Sequence, residues 1–222
     1  MSLYLIINIG IIIVPLLLTF ETKIKYYKKL PQVLFSTIFV GIPFIIWDSF
    51  STSKNIWNFN CSYVYNIRLF HLPIEELLFF VTVPYSILFL YETFLFYTKE
   101  NSKTFNTYPI LVSSIISLLS AANFIEKNYT FVILLIFSLL LLMIFFVKPK
   151  FIFRDKIIFF LLFTFIPFGI VNYILTSVPI VNYNQEEILG IKIITIPLED
   201  FFYSFSLILS YLFFYEMRKG EQ

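Results

Sequence analysis

The sequence is poor in the residues that build disulfides, metal centres and nucleotide-binding loops. Among its 222 residues are one cysteine (Cys61), one histidine (His71) and five glycines. A single cysteine excludes an internal disulfide and a multi-cysteine metal site, and with one histidine we expect no zinc site. No glycine-rich dinucleotide fingerprint is present. The sequence therefore predicts neither a metal nor an organic cofactor.

Charged side chains are also scarce, at 14% of residues, whereas 59% are hydrophobic and the mean hydropathy is +0.86. A soluble domain is normally about half apolar and a quarter charged. Because one core cannot hide this much apolar surface from water, we expect membrane lipid to be the solvent. The net charge of +2 gives no argument for a nucleic-acid partner.

A helix needs roughly 20 apolar residues to cross the hydrocarbon layer of a bilayer. Seven runs approach that length, so we predict an all-α integral membrane protein of about seven transmembrane helices. The runs are 3–20, 32–49, 73–97, 107–125, 129–147, 157–177 and 195–217. The first lacks preceding positive charges and a following cleavage site, which favours a retained helix over a signal peptide.

Positive charges are concentrated on one side of these predicted helices. Connections and tail on that side carry twelve lysines and arginines, and the opposite side carries four. Because cytoplasmic loops are enriched in such residues, the N-terminus is predicted outside and the C-terminus in the cytoplasm of a bacterial inner membrane. The twelve are Lys23, Lys25, Lys28, Lys29, Lys99, Lys103, Lys148, Lys150, Arg154, Lys156, Arg218 and Lys219.

Shifting the sequence by 124 residues aligns it with itself, with 17 identities over the 51 positions 42–92. Many of the identical positions are polar. A composition rich in Phe, Ile and Leu produces chance apolar matches but does not produce these polar ones. The predicted architecture is therefore two three-helix repeats, 1–98 and 129–222, joined by a linker helix within 99–128. Three helices and one linker helix return the chain to the side of the membrane on which the first repeat began. The second repeat should therefore run parallel to the first, and the two should enclose a shared cavity.

The repeat includes two doubled acidic motifs, Pro73-x-Glu75-Glu76 and Pro197-x-Glu199-Asp200. Each stands at the start of a long apolar helix, where proline and acidic residues also serve as ordinary caps. Charge within a bilayer is costly and usually marks function. Adjacent carboxyl groups in an apolar place also tend to keep one proton, which suits an acid catalyst for a hydrocarbon.

Asp48, preceded by Trp47, ends the second helix and maps onto Asn172 in the second half. Trp47 and Asp48 are either an interfacial tryptophan with a solvated aspartate, or part of a site whose two halves differ. Arg68 and Lys192 precede the motifs by five residues. They either pair with the carboxylates, or help to set the membrane orientation or hold a loop.

Tyr91-Glu92 and Tyr215-Glu216 end their helices, where an interfacial tyrosine is expected. We interpret His71 as an interfacial residue. Most phenylalanines are expected to pack or face lipid, with a minority lining the cavity.

These residues resemble the membrane-embedded, heterodimer-type lycopene cyclases, with both subunits fused in one chain. Trp47-Asp48, Trp57-Asn58-Phe59-Asn60 and the run from Leu72 to Phe80 resemble the first subunit. Ile166-Pro167-Phe168, Asn172, Thr176, Gly190-Ile191-Lys192 and the run from Ile196 to Tyr203 resemble the second. Departures are Lys192 in place of an expected arginine and Asn66 in place of an expected glycine.

The resemblance implies a linear C40 carotenoid substrate, lycopene, lying in the bilayer, and a lycopene β-cyclase activity without redox change. An acid would protonate C2 of the ψ end group, the ring would close, and a base would remove a proton. We expect catalysis from Glu75, Glu76, Glu199, Asp200 and Asp48. Substrate contacts are expected from Trp47, Pro73, Pro197, Arg68, Asn172, Lys192, Phe79 and Tyr203.

Two other functions remain open from the sequence. A small transporter of the SWEET type shares the predicted arrangement of repeats, and a carotenoid-binding subunit would hold lycopene without changing it. A retinal photoreceptor is excluded because the run 196–217 contains no lysine for a Schiff base. Membrane lipids are the expected surroundings, and the sequence is compatible with a homo-oligomer.

Overall fold

The computed structural model describes residues 1–98 and 106–220, and within these it is all-α with seven helices, as predicted. The helices are α1 (Leu3–Leu17), α2 (Leu30–Ser53), α3 (Ile74–Thr98), α4 (Tyr108–Asn123), α5 (Asn128–Val147), α6 (Ile157–Ser177) and α7 (Leu198–Gly220). Short 3-10 turns at Tyr26–Lys29 and Lys150–Phe153 precede α2 and α6. Lys99 and Lys103, on which part of the predicted orientation depends, lie outside the described residues.

Among the described residues, four helices are long and apolar enough to cross a membrane by length and composition: α2 with its leading turn, α3, α5 and α6. Helices α1 and α4 are apolar but have only 15 and 16 residues, and each residue adds about 1.5 Å of length. Helix α7 has 23 residues, but its first turn holds Glu199 and Asp200. Its polar positions are tolerated because neighbouring helices bury them.

Helices α3 and α7 lie at the centre of the bundle. Helix α1 packs on α3, and α7 packs between α2 and α5. From Ser206 to Phe213 every residue of α7 is buried. Helix α6, by contrast, buries only Ile157, Phe160, Thr164 and Leu175. The first residues of α3 and α7, which carry the acidic motifs, are therefore held inside the protein.

Short strands, which the sequence did not predict, cover the end of the bundle where α3 and α7 begin. Strands β2 (Arg68–Leu69) and β3 (Leu72–Pro73) form a hairpin before α3, and β5 (Lys192–Ile193) and β6 (Ile196–Pro197) form one before α7. Strands β1 (Trp57–Phe59) and β4 (Val181–Tyr183) pair antiparallel. In that pair Asn58 lies opposite Asn182, a residue 124 positions later.

The other end of the bundle is held by two crossed contacts between α3 and α7. The Tyr91 hydroxyl donates to Glu216 at 3.0 Å, and the Tyr215 hydroxyl donates to Glu92 at 2.7 Å. Lys219 pairs with Glu92 at 2.7 Å, and Arg154 pairs with Glu216 at 3.2 Å. Both tyrosines are fully buried. Their hydroxyl groups therefore bind carboxylates inside the protein, and the expectation of an interfacial depth in the membrane stays a prediction.

Candidate functional site

A cavity of about 560 Å³ lies among α1, α3, α6 and α7. Most of its lining is aliphatic or aromatic, and the lining residues of the described chain include three carboxylates and no lysine or arginine. The three are Asp48, Glu76 and Asp200. All of them lie at the end of the cavity that the strands cover, because α2 ends there and α3 and α7 begin there.

Glu76 and Asp48 form the first part of the acidic cluster. Both line the same end of the cavity. The Tyr4 hydroxyl donates to Glu76 at 2.6 Å, and the Tyr203 hydroxyl donates to Asp48 at 2.9 Å. Only 3% of Asp48 and 7% of Glu76 are exposed. Two carboxyl groups buried together in an apolar place disfavour double ionisation, which makes this pair suited to hold a proton.

Asp200 forms the second part of the cluster and has different partners. The Tyr129 and Tyr183 hydroxyls each donate to one of its oxygens at 2.8 Å. Burial, together with the nearby Asp200, raises the pKa of Tyr183 well above its usual range. Since Tyr183 therefore keeps its proton at physiological pH, it remains a hydrogen-bond donor to Asp200. Two donated hydrogen bonds suit a carboxylate, which has acceptor sites only.

The first acid of each doubled motif does not line the cavity. Glu75 accepts hydrogen bonds from the Ser2 hydroxyl at 2.5 Å and the Tyr65 amide at 2.7 Å. Glu199 accepts from the Thr130 hydroxyl and the Leu189 amide, both at 2.6 Å. Successive residues of a helix point in directions about 100° apart, so adjacent acids cannot both face one cavity. The structure thus separates a loop-binding acid from a cavity acid in each motif.

The remaining predicted site residues divide into two groups. Phe79, Asn172 and Tyr203 line the cavity. Outside its lining lie Trp47, Pro73, Pro197, Arg68 and Lys192. Trp47 packs against Trp57, which does line the cavity, with ring centroids 6.0 Å apart.

The two cations expected near the carboxylates lie at the surface. Arg68 donates to the backbone carbonyls of His71 at 3.2 Å and Phe59 at 3.4 Å. It therefore binds the loop that covers the cavity, rather than either acid of its motif. Lys192 is exposed in β5. Pro73 and Pro197 are buried in β3 and β6, where each occupies the hairpin position opposite one of these cations.

The family model for lycopene cyclase matches residues 1–94 and 126–218. The chain belongs to the lycopene cyclase family. Carotenoid cyclisation and a membrane setting are what this family assignment supports. No curated protein and no solved structure matches the chain. The cyclase match leaves out 95–125, the stretch that contains α4, and includes every residue of the acidic cluster.

Three of the tyrosines that contact the acids in this cyclase were not predicted: Tyr4, Tyr129 and Tyr183. With Tyr203, which was predicted, four tyrosines contact the acids, and the shift of 124 residues contains a signal for two of them. Tyr183 aligns with Phe59 and Tyr203 with Phe79, so the second half carries hydroxyl groups where the first has plain rings. Tyr4 and Tyr129 give no such signal, because their contacts depend on how α1 and α5 pack against α3 and α7.

Proposed function

We propose that this protein is a lycopene β-cyclase that closes the ψ end groups of lycopene by acid catalysis, without a cofactor. The observation that carries the proposal is the meeting of Asp48, Glu76 and Asp200 at the buried end of an apolar cavity in a member of the lycopene cyclase family. A hydrocarbon substrate offers no group to bind by charge. An apolar channel ending in acids supplies both the binding surface and the reactive proton.

The Asp48–Glu76 pair is the proposed proton donor. The two buried carboxyl groups disfavour double ionisation and would retain one proton among apolar side chains. The Tyr4 and Tyr203 hydroxyls donate hydrogen bonds to their oxygens. Transfer of this proton to C2 of the end group leaves a tertiary cation at C1. The π electrons of the C5=C6 double bond then form the C1–C6 bond.

Asp200 is the proposed stabiliser of the cation and acceptor of the proton that leaves. After ring closure the positive charge lies at C5, and loss of the C6 proton forms the C5=C6 double bond of a β-ring. The proton gained at C2 and the one lost at C6 balance, so the reaction is an isomerisation. The rings of Trp57 and Phe79 also line the cavity and can stabilise the cation through their faces.

Transport is less well supported by the cavity. A polar permeation path needs polar groups along its length, whereas the lining away from the acids is largely aliphatic and aromatic. A subunit that only binds carotenoid would have the same apolar lining. Conversion of lycopene to a cyclised product distinguishes an enzyme from such a subunit.

The test is expression in a bacterium that already makes lycopene, with pigments separated by chromatography. We expect rings to form with the wild-type chain. Glu76→Gln or Asp200→Asn should lower product by about a hundredfold or more, since each removes an acid–base group. The matched controls Glu75→Gln and Glu199→Gln should still form rings, because these acids contact loops. Full activity in both cavity variants would contradict the assignment.

We further propose that the halves 1–98 and 129–222 are parallel repeats about an axis along the membrane normal, with α4 in the linker segment. Pairing of Asn58 with Asn182, and the crossed contacts of Tyr91 and Tyr215, support this proposal. An inner-membrane location with the N-terminus outside follows from the charge distribution and is proposed on that ground. Cysteine labelling from each side of the membrane tests the orientation.

A further inference from the structure

The cavity has a closed end and an open mouth. At the closed end Tyr4 is 1% exposed and Asp200 is 3% exposed. Val14 on α1 and Ile170 on α6 also line the cavity, yet they are 57% and 59% exposed. Gly10, between these two ends on α1, is exposed as well. Lining residues that are this exposed mark the place where the cavity reaches the surface of the protein.

The mouth lies within α6, at Ile170, and along the second half of α1, from Gly10 to Val14. Ile7, Gly10, Ile11 and Val14 line the cavity from α1, and their spacing places them on one helix face. From Tyr4 to Val14 a helix rises about 15 Å, at about 1.5 Å per residue. The opening is therefore well removed from the acidic end.

Both sides of the mouth are apolar. Helix α1 contributes Gly10 and Val14, and α6 contributes Ile170 and Val171. Helix α1 packs on α3, and α6 makes only limited contact with α3 and buries few of its residues. No charged side chain of the described chain lines this part of the cavity. An opening of this composition suits an apolar chain and offers nothing to an ion or a sugar.

We propose that the gap between α1 and α6 is a lateral portal through which a linear isoprenoid chain enters from the bilayer, with Gly10 setting the free width. The occupant is the substrate polyene, because the portal is continuous with the acidic cluster. The full length of a linear C40 polyene also exceeds the length of the cavity. This inference rests on the proposed function. The end group reaches the carboxylates while the rest of the chain extends through the mouth into lipid.

Gly10 and Gly169 form a matched pair for testing the portal. A Cβ atom added at either glycine would have no neighbouring atom within 4 Å, so both positions have space for a side chain. Only Gly10 lines the cavity. Gly10→Phe should therefore obstruct the mouth, whereas Gly169→Phe adds the same side chain to a membrane helix outside the path.

The experiment compares Gly10→Ala, Gly10→Val, Gly10→Phe and Gly169→Phe by two measurements. The first is lycopene that copurifies with the protein in a Glu76→Gln background, where substrate is not consumed. The second is ring formation in lycopene-producing cells without that background change, per amount of protein in the membrane. We expect both to fall with side-chain size at Gly10, by about tenfold for phenylalanine, the scale of an overpacking penalty. Gly169→Phe should match the wild type.

Equal binding and turnover in Gly10→Phe and wild type would overturn the portal, as would an equal loss in Gly169→Phe. If Gly10→Phe fails to reach the membrane, Gly10→Val decides by the same comparison with Gly169→Val. A parent protein that binds no lycopene overturns the proposed route. A protein that binds lycopene through a Gly10-sensitive mouth but forms no ring would support the portal and refute the cyclase proposal.

Discussion

Tyrosine hydroxyls orient all three carboxylates of the cavity, but they do so unequally. Asp200 receives two such hydrogen bonds, from Tyr129 and Tyr183, whereas Glu76 and Asp48 receive one each. A carboxylate with two donors is oriented as an acceptor, and a carboxyl pair retains a proton. The chemical difference between the halves thus depends on single residues that supply or lack a hydroxyl group.

Removal of the hydroxyl groups at Asp200 should lower activity without unfolding the protein. A hydrogen bond to a charged group contributes about 1.5–3 kcal/mol. We therefore expect Tyr129→Phe and Tyr183→Phe each to slow ring formation by about tenfold or more, and the double variant to be slower still. Initial rates with lycopene in reconstituted membranes measure this. Tyr173→Phe, at an exposed position on α6, is the control, and equal rates in all variants would exclude a role for the two hydroxyl groups.

The sequence identified the acids but could not say which member of each doubled motif faces the cavity. Glu75 and Glu76 have the same chemistry and adjacent positions. Which one points inward depends on the rotation of α3 against α1 and α6, and this is set by packing far from the motif. Local patterns also could not predict that Asp48, on a different helix, would line the same cavity as Glu76.

At the scale of elements, the acidic motifs connect the starts of α3 and α7 to the loops that precede them. Glu75 accepts the Tyr65 amide and Glu199 accepts the Leu189 amide, and both of these amides lie ten residues earlier in the chain. Each carboxylate thereby fixes the hairpin that closes the cavity over its neighbouring acid. The boundaries of α2, α3, α5 and α6 were predicted to within about four residues, because long apolar runs leave little choice. The hairpins are too short to give such a pattern.

Glu75→Gln and Glu199→Gln should destabilise the protein while leaving ring formation in place. Each loses charge-assisted hydrogen bonds to an amide and a hydroxyl, a cost of about 1–3 kcal/mol. The expected result is a lower thermal unfolding temperature in detergent, with turnover at low temperature close to wild type. Glu76→Gln should instead lose turnover while its unfolding temperature stays close to that of the wild type. Loss of turnover in Glu75→Gln with unchanged unfolding would instead place Glu75 in the chemistry.

At the scale of the whole molecule, the two halves are joined at both ends of the bundle. Strands β1 and β4 pair at the acidic end, α2 packs against α7, and the Tyr91–Glu216 and Tyr215–Glu92 contacts cross at the other end. The cavity lies between these attachments, and its mouth is on the side where α6 is least packed. Contacts between the halves, rather than the peptide linkage, are therefore positioned to hold the site together.

A break in the chain between residues 98 and 106 should leave an active protein when both pieces are made together. The break falls inside 95–125, which the family match leaves out. It leaves Asp48 and Glu76 in the first piece and Asp200 in the second, so the acidic cluster forms only when the pieces associate. We expect co-expressed 1–98 and 106–222 to convert lycopene and each piece alone to be inactive. Two pieces that are present in the membrane together but form no ring would show that the linkage itself is required.

The crossed contacts give this experiment its control. Tyr91→Phe and Tyr215→Phe together remove one hydrogen bond to each of two buried carboxylates, which should weaken association of the pieces by about tenfold or more. In the intact chain the same double variant should stay close to wild-type turnover, because covalent linkage keeps the effective concentration of the halves high. Copurification of one tagged piece with the other measures association directly. A double variant that impairs the intact chain as strongly as the split chain would mean that these tyrosines shape the cavity itself and do more than join the halves.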